Sequence, residues 1–151
     1  MNIAVVAQDT KKKLLMRLCM AYQSVLNRHR LYSTVGVGNL VSQSTGLRIS
    51  ILYGGIQQIS ARVSCGELDL LLFFRDGMNS GFENIENEML RLCDVHMIPY
   101  ATNVATAEVL IHGLKRGDLE WRSNLGAPFV NINDDNIETV DWKSVNIIQG
   151  A

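Results

Sequence analysis

Two aspartates and a lysine occupy positions where parallel α/β sheets place residues that do chemistry. Asp9 follows an apolar run at residues 3–7, and Asp76 follows the most apolar segment of the chain, residues 68–74. A carboxylate at the end of a strand can accept or donate a proton. Lys12, near the start of a predicted helix, can attract a phosphate together with the positive end of that helix. These residues predict an acid–base or phosphate site at the carboxyl ends of the strands.

Each of these residues also has a purely structural explanation. An aspartate just before a helix is a common N-cap, and one after a strand can cap a turn, so neither Asp9 nor Asp76 is identified as catalytic by position alone. Lys12 is the middle residue of three consecutive lysines. A lysine run is usually a solvated face, so the phosphate role of Lys12 needs further support.

The composition excludes several functional classes. The chain has 151 residues, of which 14 are basic and 15 acidic, and its net charge is −1. No window of the sequence concentrates lysine and arginine, so we expect no nucleic-acid binding. Cys19, Cys65 and Cys93 are far apart without a C-x-x-C pair, which predicts reduced thiols in the cytoplasm and no metal site. The first apolar run reaches Asp9 too soon for a signal peptide or membrane span, so we expect no membrane partner.

Strands and helices are predicted to alternate along the chain. Apolar runs at residues 3–7, 31–34, 49–52, 68–74 and 97–101 predict five strands. Helical spacing predicts a helix capped by Asp9, a short helix at 39–44 after a glycine-bearing turn at 35–38, a helix ending at 65–66, and helices at 83–93 and 103–114. This order predicts a three-layer α/β/α fold with a five-stranded parallel sheet, in which 68–74 is the middle strand.

We expect one domain over residues 1–122 and a C-terminal extension over residues 123–151. The periodicity fades after residue 120 into a polar, turn-rich stretch. Short alternating segments in this extension could supply edge strands or a subunit contact.

Six short motifs, taken in order, resemble the methylglyoxal synthase family over residues 2–122. The best match is the segment from Pro99 to Ala107, which follows the family pattern nearly residue for residue. The motifs are Ala7-Gln8-Asp9, Leu31-Tyr32-Ser33-Thr34, Gly38-Asn39-Leu40, Gln57-Gln58-Ile59, Leu71-Leu72-Phe73-Phe74-Arg75-Asp76 and Ile98-Pro99-Tyr100-Ala101-Thr102-Asn103.

The resemblance implies a five-stranded parallel sheet between helices and a homo-oligomer, commonly a hexamer. It also implies a carbon–oxygen lyase reaction, the conversion of dihydroxyacetone phosphate to methylglyoxal and phosphate without a metal or other cofactor. That reaction needs a carboxylate to remove a proton beside the carbonyl, a donor to stabilise the enediolate and a cradle for the phosphate.

The phosphate cradle implied by the resemblance is partly retained. Its residues here are Lys12, Thr34, Gly36, Val37 and Gly54. In the family a threonine-rich turn, Thr-Gly-Thr-Thr-Gly, supplies hydroxyl donors, and two of these have become Gly36 and Val37. Backbone amides then remain as the donors in this turn.

The implied proton-transfer residues are altered in three places. The position of the family's catalytic Asp falls on Ile56, which cannot accept a proton. The loop at residues 80–86 lacks the family's histidine, and Gln8 replaces the histidine that precedes the retained Asp9. Asp9 and Asp76 are therefore the remaining catalytic candidates.

Several further residues have a weaker connection to this site. Glu83 and Glu86 lie near the altered loop and could supply a substitute carboxylate, although glutamates early in a helix usually serve the helix dipole. The resemblance places Gln8, Asn103 and Thr106 on the pocket wall, and the last two can also cap a helix. The three histidines, which match no catalytic position of the family, are expected to pack or face solvent; they are His29, His96 and His112.

Three hypotheses follow from these residues. The favoured one is a catalytically degenerate member, a pseudoenzyme that binds phosphate or a small phosphorylated metabolite. The alternative is an active methylglyoxal synthase that uses a replacement carboxylate. The third is a purely structural subunit of a hetero-oligomer.

Overall fold

The computed structural model describes residues 1–79 and 84–124, in which strands and helices alternate. The strands are β1 (Asn2–Ala7), β2 (Arg30–Thr34), β3 (Ile49–Leu52), β4 (Leu70–Phe74) and β5 (Tyr100–Ala101). The helices are α1 (Lys12–Ala21), α2 (Gln23–Leu26), α3 (Val35–Thr45), α4 (Ile56–Ser64), α5 (Asn84–Val95), α6 (Val104–Arg116) and α7 (Trp121–Asn124), with a 3-10 turn at Asp9–Lys11.

The five strands form one parallel sheet in the order β3-β2-β1-β4-β5, which confirms the predicted fold class. The prediction that residues 68–74 form the middle strand is wrong, because β1 is the central strand and β4 lies beside it. The chain winds from β1 outward to β3 and then returns to the other side of β1. β4 is apolar because helices cover both of its faces and a strand lies on each side of it. A strand beside the central one meets the same conditions, so apolar character alone does not identify the middle strand.

Two apolar clusters separate the layers of the fold. On one face of the sheet, buried residues of α1, α3 and α6 pack with alternate residues of β1 and β4, including Ile3, Val5 and Leu72. On the other face, α4 and α5 pack against Ala4 and Phe73. Successive residues of β1 and β4 therefore contribute side chains to opposite clusters, and the sheet lies as the middle layer between two layers of helices.

Two local predictions differ from the structure. The predicted glycine turn at 35–38 is wrong: α3 begins at Val35, directly after β2, and neither Gly36 nor Gly38 has a positive φ. At Gly38 the missing side chain permits close packing instead, since a Cβ there would lie 2.2 Å from Cδ1 of Ile51. The fifth strand, predicted at 97–101, is only Tyr100–Ala101, because the backbone of Met97 has φ of +52° and breaks the extended run.

The remaining predictions about the chain are tested only in part. Cys19 and Cys93 are buried and Cys65 is exposed, and all three thiols are free; burial raises the pKa of Cys19 and of Cys93 to about 12. No helix of the described residues is long and apolar enough to cross a bilayer. The predicted extension begins in α7, and its remainder, residues 125–151, lies outside the described residues, as do residues 80–83 with Glu83.

Candidate functional site

The candidate site lies where β1 and β4 end side by side. Ala7 pairs with Phe74 in the parallel register, and the backbone N–H of Gln8 donates to the carbonyl of Phe74 at 3.0 Å. The chain leaves both strands at the same level of the sheet. Asp9 and Asp76, which are 67 positions apart in the chain, therefore meet at one edge, as the carboxyl-end rule for parallel sheets predicts.

A cavity of about 330 Å³ opens at this edge. A larger cavity of about 540 Å³ lies at the opposite end of the sheet, at the amino-terminal ends of β2 and β3. The smaller one is the better candidate because it contains three of the residues predicted from the sequence, at the end of the sheet where α/β proteins bind substrates. Its walls are formed by Ala7, Gln8, Asp9, Thr10, Asp76, Asn79 and Glu86.

Gln8 links the two loops of the site to α5. Its side-chain Oε1 accepts the backbone N–H of Asp76 at 2.6 Å, and its Nε2 donates to Oε2 of Glu86 at 3.0 Å. The amide uses both of its ends, so the side chain of Gln8 is held in one orientation. Gln8 therefore acts as a positioning residue for two carboxylate-bearing segments.

The carboxylate of Asp76 is stabilised in its ionised form. The hydroxyl of Thr10 donates to Oδ2 at 2.8 Å, and the backbone N–H of Met78 donates to Oδ1 at 3.0 Å. These two hydrogen bonds, followed by the positive charge of Lys11, hold the pKa of Asp76 below its ordinary value. A carboxylate with a lowered pKa is a weaker proton acceptor.

Asp9 is engaged by Lys12 and is not a helix cap. The predicted N-cap is wrong because Asp9 is already the first residue of the 3-10 turn, and no side chain caps either that turn or α1. Instead Oδ1 of Asp9 lies 2.6 Å from Nζ of Lys12. The hydrogen bond and the charge of Lys12 lower the pKa of Asp9.

Lys12 reaches from α1 to the beginning of α3. A Cβ at Gly36 would lie only 2.9 Å from Nζ of Lys12, so the glycine makes room for the ammonium above the first turn of α3. Thr34 is the N-cap residue of α3, but its side chain makes no capping hydrogen bond. The side chain of Val37 is fully buried in the core, which leaves its backbone amide as the group able to face the site.

The beginning of α4 carries the two remaining predicted residues. The N–H of Gly54 donates to Oε1 of Gln58 at 2.9 Å, so this amide is already used within the loop. Gly55 adopts φ of +67°, which turns the chain into the helix. Ile56 is the first residue of α4 and packs against the apolar cluster that contains Leu52.

Asn103 and Thr106 lie at the beginning of α6. The backbone N–H of Thr106 donates to Oδ1 of Asn103 at 3.1 Å, which confirms the predicted cap. Neither residue is part of the wall of the 330 Å³ cavity within the described residues, so their predicted place on the pocket wall stays a prediction. The three histidines are likewise not part of this wall.

The structure adds three residues to the site that the sequence analysis missed or ranked low. Thr10 and Asn79 line the cavity, and Glu86, considered before only as a weak substitute, is hydrogen-bonded to Gln8. Thr10 directly follows Asp9, so its position three residues beyond the last residue of β1 was a usable signal. The contact of Glu86 with Gln8 spans 78 positions, and no spacing rule indicates it.

No metal centre is evident at this edge. Across residues 1–79 and 84–124, no three His, Cys, Asp or Glu side chains are arranged to hold a metal ion. What the arrangement offers is an ammonium beside a helix N-terminus, with two ionised aspartates and one glutamate close by.

Comparison with known proteins identifies similar chains. No family model matches the sequence. A methylglyoxal synthase of Oceanobacillus iheyensis is 47% identical over 127 residues, which are 81% of this chain and 91% of the relative. One from Caldicellulosiruptor saccharolyticus is 45% identical, covering 81% of this chain and 90% of the relative. The crystal structure of methylglyoxal synthase from Elizabethkingia anophelis NUHP1 superposes with a TM-score of 0.66 at 29% identity, covering 73% of this chain and 76% of that one.

The carboxylates of the site give a first testable prediction. In Thr10→Val we expect the pKa of Asp76 to rise toward its ordinary value of 3.8, because the hydroxyl no longer donates to the carboxylate. In Lys12→Met the pKa of Asp9 should rise instead. Carboxyl chemical shifts recorded by NMR against pH measure both groups in each variant.

The sign of the accompanying stability change follows from the lowered pKa. The contribution of Asp76 to the stability is complete above the ordinary pKa of 3.8 and is lost as the pH falls through the lower folded-state value. The two variants control for each other, because each removes the partner of one carboxylate. If both variants moved both pKa values equally, the specific hydrogen bonds assigned here would be wrong.

Proposed function

The chain belongs to the methylglyoxal synthase family, and from this premise we propose that it binds phosphate or a small phosphorylated metabolite without converting it. The observation that carries the proposal is the position of Ile56. The family resemblance assigns the proton-abstracting carboxylate to this position, at the beginning of α4. Here the position holds a hydrocarbon side chain packed against an apolar cluster.

The loss of this carboxylate removes the first step of the reaction. Proton abstraction beside the carbonyl needs a base within hydrogen-bonding distance of the substrate, and such a base contributes about 10²- to 10⁴-fold in rate. The histidine that the family uses to polarise the carbonyl has no counterpart in the sequence of residues 80–86. Two of the three groups that the reaction needs, the base and the donor that polarises the carbonyl, are therefore changed.

The remaining aspartates are poor replacements for the missing base. Asp76 and Asp9 both have a lowered pKa, the first through Thr10 and Met78 and the second through Lys12. A strong hydrogen bond to a carboxylate stabilises the ionised form and makes proton uptake less favourable. Both side chains are better suited to organise the loops than to take a proton from carbon.

The phosphate part of the site is better preserved. Lys12 places its ammonium over the first turn of α3, where the backbone N–H groups of Val35, Gly36 and Val37 have no partner earlier in the helix. A helix N-terminus with an adjacent cation is suited to a phosphate. The carboxylates of Asp76 and Glu86 repel an anion, and Asp9 is ion-paired with Nζ of Lys12 at 2.6 Å. We therefore place the phosphate on the side of Lys12 that faces the first turn of α3.

One observation favours the alternative of an active methylglyoxal synthase. Glu86 lines the same cavity as Asp76 and Asp9, so a carboxylate other than these two is available there. In this alternative one of the three carboxylates removes the proton, and the chain is a carbon–oxygen lyase like the enzymes that its relatives are named for. The turnover experiment below separates the two proposals.

The proposal also includes the oligomeric state and the cellular location of the protein. By resemblance we expect a homo-oligomer, a hexamer in the family's usual form, located in the cytoplasm. The extension over residues 123–151 is proposed to supply edge strands or a subunit contact. The third hypothesis, a purely structural subunit of a hetero-oligomer, predicts neither turnover nor phosphate binding.

The first test of the proposed function concerns turnover. The wild-type chain should form methylglyoxal from dihydroxyacetone phosphate no faster than the protein-free solution. Ile56→Asp should raise the rate about 10²-fold or more above that of the wild-type chain, because it restores a base at the N-terminus of α4. Ile56→Asn is the matched control, since its amide cannot accept the proton. A coupled assay of methylglyoxal formation measures all three proteins. Wild-type turnover at about 1 s⁻¹ or faster would support the active alternative.

The second test concerns phosphate binding. Inorganic phosphate should shift the backbone amide resonances of Gly36 and Val37, and Lys12→Met should weaken the dissociation constant read from them by about tenfold or more. Lys13→Met is the control. Lys13 is exposed, and its substitution removes the same charge from the same helix. Equal weakening in the two variants, or no shift at these amides, would contradict the proposed phosphate site.

A further inference from the structure

The cavity of about 540 Å³ lies at the end of the sheet that the proposed function does not use. It opens at the amino-terminal ends of β2 and β3, whereas the site around Asp76 lies at the carboxyl ends of β1 and β4. Its volume falls in the range of small-molecule sites. Its walls are formed by Asn27, His29, Arg30, Leu31, Tyr32, Leu47, Arg48, Ile49 and Ser50.

The strand register places two arginines of this cavity side by side. Leu31 pairs with Ile49 in the parallel ladder. Arg30, the first residue of β2, and Arg48, which directly precedes β3, are each one residue earlier and are therefore neighbours. Adjacent strands are about 4.8 Å apart, and alternation directs these two side chains to the same face of the sheet. The next pair on that face is Tyr32 with Ser50.

Neither guanidinium is neutralised by the fold. Within residues 1–79 and 84–124, the side chains of Arg30 and Arg48 form no hydrogen bond or ion pair, and no carboxylate is part of the cavity wall. Other arginines of the chain do have acidic partners, as Arg62 has in Glu67 at 2.8 Å and Arg91 has in Glu88 at 2.6 Å. Like charges on neighbouring strands repel each other, so this arrangement is unfavourable until an anion joins it.

Further positive charge surrounds the pair. His29 lines the cavity, and its pKa is lowered first by burial and then by the positive charges of the amino terminus and Arg28. Asp69 opposes this effect, but one of its carboxylate oxygens already accepts the backbone N–H of Asn2 at 2.7 Å. Two further positive charges, the amino terminus and Arg28, therefore act on His29 at this end of the sheet.

We infer that this cavity binds a small organic anion whose phosphate or carboxylate group lies between Arg30 and Arg48. The planar guanidinium donates two parallel hydrogen bonds to such a group, and two guanidinium groups can hold it from both sides. The hydroxyl of Ser50 and the amide of Asn27 are additional hydrogen-bonding groups in the wall. The cavity exceeds the size of the oxyanion alone, which leaves room for the organic part of the ligand.

The test uses His29 as a reporter. Inorganic phosphate and citrate are titrated separately into the wild-type chain at constant ionic strength, and the pKa of His29 is followed by NMR of its ring. An anion bound in the cavity that His29 lines stabilises the protonated ring through its negative charge, so at least one of the two probes should raise the pKa of His29. The probe with the larger effect identifies a phosphate or a carboxylate ligand.

Variants assign the effect to the cavity. Arg48→Gln should weaken the dissociation constant measured through His29 by about tenfold or more, whereas Arg17→Gln, which removes an exposed arginine from α1, should leave it unchanged. Lys12→Met should also leave it unchanged, so this inference and the proposed phosphate site at Lys12 can fail separately.

Three outcomes would overturn the inference. The first is an unchanged pKa of His29 with both probes, and the second is equal weakening in Arg48→Gln and Arg17→Gln. The third is a change of oligomeric state in Arg48→Gln, measured by sedimentation velocity, together with unaltered probe binding, because the arginines would then belong to a contact between copies of the chain.

Discussion

The pairing of β1 with a strand on each side determines where every proposed functional group lies. β1 is hydrogen-bonded to β2 and to β4, and it is buried on both faces by separate apolar clusters. A shift of one residue in either ladder would move each side chain into the opposite apolar cluster, which is packed around side chains of other volumes, so the register is fixed by packing. This constraint brings Asp9 beside Asp76, and it carries Lys12 to the first turn of α3.

Much of the fold is predictable from the sequence because it follows from local patterns. Continuous apolar runs indicate buried parallel strands, and four of the five strands fall within two residues of their predicted limits. The errors arise where long-range packing decides. Gly38 looks like a turn residue in the sequence, but in the structure it makes room for Ile51 of the neighbouring strand. The middle position of β1 depends on the direction in which the chain winds, which no local pattern encodes.

The candidate site is predictable to a smaller extent, for a related reason. The position of Asp76 after an apolar strand indicates a site, and the structure brings it to the same cavity as Gln8 and Asp9. Its chemical character depends on partners from distant parts of the chain, such as Thr10, which lowers its pKa. The proximity of Arg30 and Arg48 likewise follows from the register of β2 and β3, so composition and spacing could not indicate it.

The central claim is that an isoleucine at the beginning of α4 leaves the chain without a base for carbon acids. Deuterium exchange measures this step directly, because proton abstraction from dihydroxyacetone phosphate in D₂O introduces deuterium beside the carbonyl even when no product is released. The account predicts that exchange followed by NMR in the presence of the wild-type chain equals the buffer-catalysed rate. Enzyme-dependent exchange well above that rate would show that another group removes the proton and would contradict the account.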